Sequence, residues 1–359
     1  MTYTLTLKLD APAFARPQRF VLKVEGERIA DVEYRPDLDD EAPLARLERS
    51  DFREIIATAT RICPDCRIAH GLALCYAIEA LVETPAPPCA ERLRLAAAEL
   101  ERAASHLTTL AAVFRILLLT PLARACAGYA TAIRAALSAL TGGDAATWLR
   151  PGGLGREPDA TTWTALAEVA ALLTRLFTLA ERTIAGRMLL ARTVEIGVIS
   201  ATAATQFGLA GPLARAAGLS ADLRRDAPYG AYAELTPELA LQEGGDVHAR
   251  IAVLFLETLE SLRLVQRVAQ ERQEGVVSAR LPETAPPAAA SAAVEAPRGP
   301  LRYHVVSDGR QISEIRVQSA PQLDRLLART VLVNAALDDA ALIVVSTDPC
   351  DTCLAQLLL

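Results

Sequence analysis

The sequence predicts an α+β protein that is mainly α: a central helical bundle with an N-terminal β unit and a C-terminal β/α segment. Three observations predict it. The 359 residues are 52% apolar but only 4% aromatic, so the core must be built from Ala, Leu, Val and Ile, and Ala and Leu lose little on entering a helix. Apolar positions alternate through the first 35 residues and then recur three and four apart from Asp51 onward. Alternation returns after residue 294. The organisation that follows is an N-terminal β unit over 1–50, a helical bundle over 51–280 and a β/α segment over 281–359, integrated as one domain.

Each element has its own signal. TYTLTLKL puts Tyr3, Leu5, Leu7 and Leu9 on one face of a strand, and RFVLKVEGERIADVEY reads as two strands around a turn at Glu25-Gly26-Glu27. Phe52, Ile55, Ile56 and Ala59 open the first helix. Long helices are predicted over 67–83, 89–114, 120–141, 159–203 and 237–273, the fourth from Leu166, Val169, Leu172 and Leu173. Gly142-Gly143 and Arg150-Pro151-Gly152-Gly153 punctuate them. LPETAPPAAASAAV, at 281–294, has the composition of a semi-rigid linker. LRYHVVSDGRQISEIRVQ is predicted as a hairpin turning at Asp308-Gly309. A short helix near 321–329 and an apolar strand, ALIVV, complete the chain.

Composition excludes several classes of function. With 22% charged residues against 52% apolar, the chain is not disordered. The net charge is −6 and no basic block exists, which argues against nucleic-acid binding, because neutralising phosphate needs clustered Lys and Arg. No cationic segment followed by an apolar run opens the sequence. Charges such as Arg115 and Arg175 interrupt the apolar stretches below the ~18 residues of a membrane span. A cytoplasmic chain with no transmembrane helix of its own is therefore expected.

The chemistry lies in the cysteines. Cys75, Cys89 and Cys126 are scattered and read as small buried hydrophobes. Cys63 and Cys66 form one CxxC pair, and Cys350 and Cys353 a second. Two such pairs bring four soft thiolates to a metal. Zinc ribbons space their pairs by about 15–20 residues, whereas 284 positions separate Cys66 from Cys350. A site joining both ends of the chain is the heart of a fold rather than a local staple, although structural zinc stays open on the thiols alone.

The flanking residues narrow the choice. Arg61-Ile62-Cys63-Pro64-Asp65-Cys66-Arg67-Ile68-Ala69-His70 and Asp348-Pro349-Cys350-Asp351-Thr352-Cys353 resemble the two signatures, RxCxxCxxxH and DPCxxC, of nickel–iron hydrogenase large subunits. ELERAASHL (99–107), GPLARAAGLSADLRRDAPYGAY (211–232), GDVHAR (245–250) and EAPRG (295–299) also resemble blocks of that family. Their order is closest to the energy-converting, complex-I-related type.

The resemblance implies a nickel held by Cys63, Cys66, Cys350 and Cys353. Cys63 and Cys350 would be terminal ligands, and Cys66 and Cys353 would bridge to an iron carrying carbon monoxide and cyanide. It implies reversible conversion of dihydrogen into protons and electrons. Cys350 would take the proton, Arg298 would overhang the metals, and Asp348 would orient Arg298. His70 would hydrogen-bond a bridging thiolate, or else simply satisfy a helix turn. The remaining histidines, His106, His248 and His304, are expected to be structural or at the surface. Glu99, Arg102, Asp222 and Arg224 fit buried ion pairs equally well, and Asp246 and Arg250 an i,i+4 pair. The three remaining cysteines are scattered and make no set for a cluster, so the resemblance implies an iron–sulphur small subunit, with membrane subunits, maturation proteins and a peripheral location on the inner face of the cell membrane.

Four positions depart from the family. Arg16-Pro17-Gln18-Arg19-Phe20 stands where an E-P-x-x-F context places a proton-carrying glutamate, and a guanidinium cannot shuttle protons at neutral pH. Asp40-Glu41-Ala42 occupies the place of a His-Arg-Gly motif. Pro64 replaces a glycine, and Gln356 a His or Arg. These departures keep a second expectation alive: a divergent, non-catalytic hydrogenase-like scaffold or sensor in a complex-I-related assembly. Quinone reduction is disfavoured, because the complex I relatives lack the four thiolates.

Overall fold

The computed structural model describes residues 2–9, 18–35, 52–282, 285–309, 311–320 and 323–350. Strands β1 (Thr2–Leu9), β2 (Gln18–Glu25) and β3 (Arg28–Tyr34) form an antiparallel three-stranded sheet in the order β1-β2-β3. Its turn falls at Gly26, where φ is +65° and a side chain would be strained. Phe20, Leu22, Val24, Ile29, Val32 and Tyr34 make the buried face, with the Phe20 and Tyr34 rings stacked 4.3 Å apart. Tyr3 and Leu5 of β1 alternate as expected yet stay exposed, at 42% and 40%.

Helices α1 (Phe52–Ile62), α2 (Arg67–Leu81), α3 (Pro88–Ile116) and α4 (Thr120–Thr141) follow, close to the predicted bounds. α2 is apolar almost all round and buried along its length, the mark of a central helix. The short α5 (Ala145–Trp148) leads into a two-strand ribbon, β4 (Leu149–Arg150) with β5 (Gly153–Leu154). α3 packs against α4 and against the later helix α12 (Val247–Gln270), which with α2 forms the bundle.

The sequence expectation of one helix over 159–203 is corrected. The chain forms α6 (Ala160–Ala170), α7 (Leu173–Ile184), α8 (Arg187–Thr193) and α9 (Ala201–Gln206). Gly186 caps the start of α8, and Glu195 and Gly197 adopt positive φ, so the apolar period continues while the helix axis does not. Ala160–Ile184 is long and apolar enough to cross a membrane, but it is divided between α6 and α7, which pack on α4 and α12. α10 (Gly211–Ala216) and α11 (Leu223–Asp226) precede α12. α12 starts at Val247 rather than at the expected 237, because Asp246 caps it by accepting from the Ala249 N–H, and Gly245 at φ +61° blocks extension upstream.

The second three-stranded sheet joins β6 (Ala289–Ala296), β7 (Gly299–Ser307) and β8 (Ile312–Ser319), all antiparallel. β6 takes in the latter part of the Pro/Ala-rich stretch: its small side chains let the strand lie on α2. The β7–β8 hairpin turns at Asp308-Gly309 as predicted. α13 (Arg325–Leu332), capped by Asp324, lies slightly beyond the expected 321–329. The ALIVV segment is not a strand but part of α14 (Ala340–Ser346), with every residue after Ala341 buried. A short apolar run buried on all sides has no period to distinguish strand from helix. α13 packs on β3, and Ile29 exchanges backbone hydrogen bonds with Asn334 and Ala335, tying the last part of the chain to the first sheet.

The β6–β7 turn is held from outside. Gly211, at φ +67°, lies so near that a Cβ there would sit 2.6 Å from the Arg298 carbonyl oxygen. Gly211→Ala should therefore cost about 1–3 kcal/mol of stability, read as a lowered denaturant midpoint, and should displace Arg298.

Candidate functional site

The first thiol pair occupies the junction of α1 and α2. Cys63 follows the last residue of α1, Pro64 and Asp65 make the turn, and Cys66 occupies the N-cap of α2 without a side-chain capping bond. The Cys66 N–H donates to the Cys63 carbonyl at 3.3 Å, so the turn closes on itself. α14 ends at Ser346, and Asp348 then adopts φ +49°, a left-handed conformation that turns Pro349 and Cys350 back into the core. The result brings Cys63 Sγ and Cys350 Sγ to 3.7 Å, across 287 positions of sequence, with both cysteines buried. This is too long for a disulfide and is a separation that two ligands of one soft metal can adopt.

Arg298 comes from the β6–β7 turn and reaches over the thiols. Its Nε donates to the Asp348 carbonyl and one terminal nitrogen to Asp348 Oδ1, both at 3.0 Å. The other terminal nitrogen stands 3.7 Å from Cys66 Sγ, and Asp65 Oδ2 lies 3.6 Å from the guanidinium. Burial opposes the charge, yet Asp348, Cys350 and Cys66 hold the guanidinium well above its ordinary pKa. The Thr109 hydroxyl donates to the same Asp348 Oδ1 at 2.7 Å. Asp348 Oδ2 is buried with no hydrogen-bond partner among the described residues. A buried carboxylate oxygen left bare beside two thiols and a guanidinium suits a site built to receive a further polar group.

His70 is fully buried on α2, its Nδ1 2.7 Å from the Tyr303 hydroxyl, which fixes the ring orientation. Burial lowers its pKa to about 3, so the ring is neutral. Cys353, Arg16, Pro17, Asp40-Glu41-Ala42 and Gln356 lie outside the described residues. Among the described residues no group of three or more His, Cys, Asp or Glu side chains assembles as a metal ligand set.

A buried ionic lattice positions the site. Arg102 donates to the carbonyls of Glu295 and Ala296, at 2.5 and 3.0 Å, just upstream of Arg298. Arg215 pairs with Glu295 and with Glu257, at 3.0 and 2.7 Å. Glu99 accepts from Arg102, Arg224, Tyr232 and Ser261. Burial opposes its charge, but Arg102 and Arg224 outweigh burial and hold the carboxyl below its usual range. Glu99, Arg102, Asp222 and Arg224 are thus buried ion pairs. His106 is buried against Glu257 at 3.1 Å. The expected Asp246–Arg250 pair is corrected: Asp246 caps α12 and accepts from the Glu195 N–H, while Arg250 donates to Ser346 Oγ and to the carbonyls of Gly197 and Gly245. Cys75 and Cys126 are buried, with burial pushing the Cys126 thiol up to about 12.

Glu101, inside the ELERAASHL block, belongs to the same neighbourhood. From α3 its carboxylate accepts from the Ile68 and Ala69 N–H groups at 2.7 and 2.9 Å, capping α2 where Cys66 does not. Burial pushes its pKa up to about 8, against the pull of those two N–H groups.

Comparison with known proteins covers the chain as a whole. Residues 133–292 match the family described as respiratory-chain NADH dehydrogenase, 49 Kd subunit. The chain is similar to an NADH-quinone oxidoreductase subunit of Salinispora arenicola, 33% identical over 333 residues that cover 89% of this chain and 85% of that one. It is also similar to the carbon monoxide-induced hydrogenase of Rhodospirillum rubrum, 30% identical over 370 residues covering 98% and 99%. Its fold matches a chain in the structure of the membrane-bound sulfane sulfur reductase, an archaeal respiratory membrane complex. The TM-score is 0.90 at 23% identity, covering 99% of this chain and 98% of that one.

Two outcomes are expected. Arg298→Met leaves Asp348 buried without its cation and should lower unfolding free energy by about 3 kcal/mol, with Asp348→Asn in the same chain recovering part of the loss. For Glu101, the native carboxyl keeps between about pH 5 and 8 a proton that the unfolded chain has released, so stability falls as pH rises through that window. Unfolding Glu101→Gln at several pH values should show that this component of the slope is gone.

Proposed function

This chain belongs to the family of the 49-kDa subunit of respiratory-chain NADH dehydrogenase, which is related to the large subunit of energy-converting hydrogenases, and from that premise we propose that it is the catalytic large subunit of a membrane-associated nickel–iron hydrogenase. The observation that carries the proposal is the approach of Cys63 and Cys350 to 3.7 Å beneath Arg298. Cys63, Cys66, Cys350 and Cys353 would hold nickel together with an iron bearing carbon monoxide and cyanide. That centre, when bound, supplies the redox chemistry for reversible dihydrogen oxidation, which zinc cannot.

The chain's own residues do the rest. Arg298 is permanently charged and is held by two bonds to Asp348, so it acts as a fixed positive edge that orients and polarises a small molecule at the thiols. Asp348 positions Arg298 and is itself fixed by Thr109. Cys350 Sγ would take one proton as the H–H bond of dihydrogen breaks, the electron pair of that bond leaving through the bound centre. Neutral His70 is oriented by the Tyr303 hydroxyl, and its backbone N–H donates to the Cys66 carbonyl at 3.0 Å.

Electrons leave through an iron–sulphur small subunit, and membrane subunits anchor the assembly, as the respiratory membrane setting of the structurally similar reductase supports. A peripheral cytoplasmic place on the inner face of the membrane follows, with maturation proteins to load the metals.

A second reading, a non-catalytic subunit of a complex-I-related assembly, is favoured by Arg16 at the position where the resemblance leads one to expect a glutamate. The purified complex should contain stoichiometric nickel and show infrared bands of carbon monoxide and cyanide, and Cys350→Ala should abolish hydrogen–deuterium exchange. Full exchange in that variant, or zinc alone in the native complex, overturns the hydrogenase proposal.

A further inference from the structure

Beside the thiol turn lies a cavity of about 290 Å³ whose walls include Asp65 of the turn, Arg67 of α2, Glu101 and Ser105 of α3, and Arg134 and Ser138 of α4. It runs from the buried interior to the surface, since Glu101 and Ser105 are 6% and 2% exposed while Arg134 and Ser138 are open to solvent. Glu101 and Ser105 are four apart on one helix and so face the cavity together. Ser105 Oγ is buried without a hydrogen-bond partner among the described residues, which is the signature of a hydroxyl placed to hold a water. Asp65, with its side chain 20% exposed, lines the cavity and stands 3.6 Å from the Arg298 guanidinium, linking cavity and thiol turn.

We propose that Glu101 is the carboxyl that exchanges protons between the buried thiol site and bulk water through this cavity. The inference rests on the hydrogenase reading for its source of protons. As a thiol S–H of the site breaks, the proton leaves past Asp65, which joins the thiol turn to the cavity, and cavity water passes it to the Glu101 carboxylate, where an O–H forms. That O–H then breaks to the water at Ser105, which carries the proton out past Ser138 and restores the carboxylate. No electrons move.

The surroundings suit a carboxyl that is neither locked charged nor locked neutral. The two N–H groups at the start of α2 favour the anion, as does Arg102 on its own helix, while burial and Asp65 on the thiol turn favour the acid. Arg67 of α2 and Arg134 of α4 complete the charges facing the cavity, and Arg134 is held away from the carboxyl by its bond to Thr108 Oγ1 at 2.6 Å. Burial raises the carboxyl to about pKa 8, within reach of neutral pH, the condition for efficient exchange.

The test uses the purified complex and two readouts. Infrared pH titration should show a protonated carboxyl band with a midpoint near pH 8 that disappears in Glu101→Gln. Exchange of dihydrogen with deuterated water should fall about a hundredfold in Glu101→Gln with nickel content unchanged, and Glu101→Asp should recover part of it with a shifted pH profile. Native-like exchange in Glu101→Gln overturns the relay while leaving the hydrogenase reading intact. If the native complex neither holds nickel nor exchanges, the hydrogenase reading falls. The infrared titration then decides alone, and the absence of a Glu101 band between pH 7 and 9 overturns the proposal.

Discussion

The pairing of Arg298 with Asp348 is the constraint on which the rest of the site depends. One member sits on the turn between two strands of the C-terminal sheet and the other on the left-handed residue after α14. Their two 3.0 Å bonds fix the position of Cys350, two residues further on, relative to the first thiol pair. Buried pairs of this kind are seldom strongly stabilising in net, because both charges lose water. Their value here is geometric: alternatives that separate the partners leave a bare charge in the interior.

The same logic extends through the bundle. Arg94, Arg102, Arg215 and Arg224 are all fully buried, and each has carboxylate partners supplied by another element. Arg94 joins Glu79 of α2 to the carbonyls of Arg150 and Gly153, while Arg102 and Arg215 grip the strand that leads to Arg298. A core of Ala and Leu alone is smooth enough to slide. Directional bonds to several elements at once give the helices one register.

Much of this was legible in the sequence, for identifiable reasons. Alternation found the N-terminal strands and the β7–β8 hairpin, and helical spacing found α1 to α4 nearly to the residue. The CxxC spacing of the cysteines was plain in the sequence, and the resemblance to a known family pointed to Arg298 and Asp348, which the fold brings beside Cys63, Cys66 and Cys350. The breaks between α6, α7, α8 and α9 were not, since the apolar period persists across them and only backbone reversals at Glu195 and Gly197 reveal one of them. α14 was misread because Leu342, Ile343, Val344 and Val345 are buried whichever structure they take. Thr109, Tyr303 and Glu101 escaped notice because the residues that give them meaning lie 239, 233 and 33 positions away.

The distance along the chain between Cys63 and Cys350 has a consequence for biogenesis. During synthesis the first sulphur emerges early, and its counterpart follows only after 287 further residues have been joined. Both bundle and lattice can condense in that interval, so the two sulphurs meet only once most of the described fold can be in place. A contact closed by residues so far apart reports on everything folded between them, so a fault in the intervening helices would show first as a failure of these two thiols to meet.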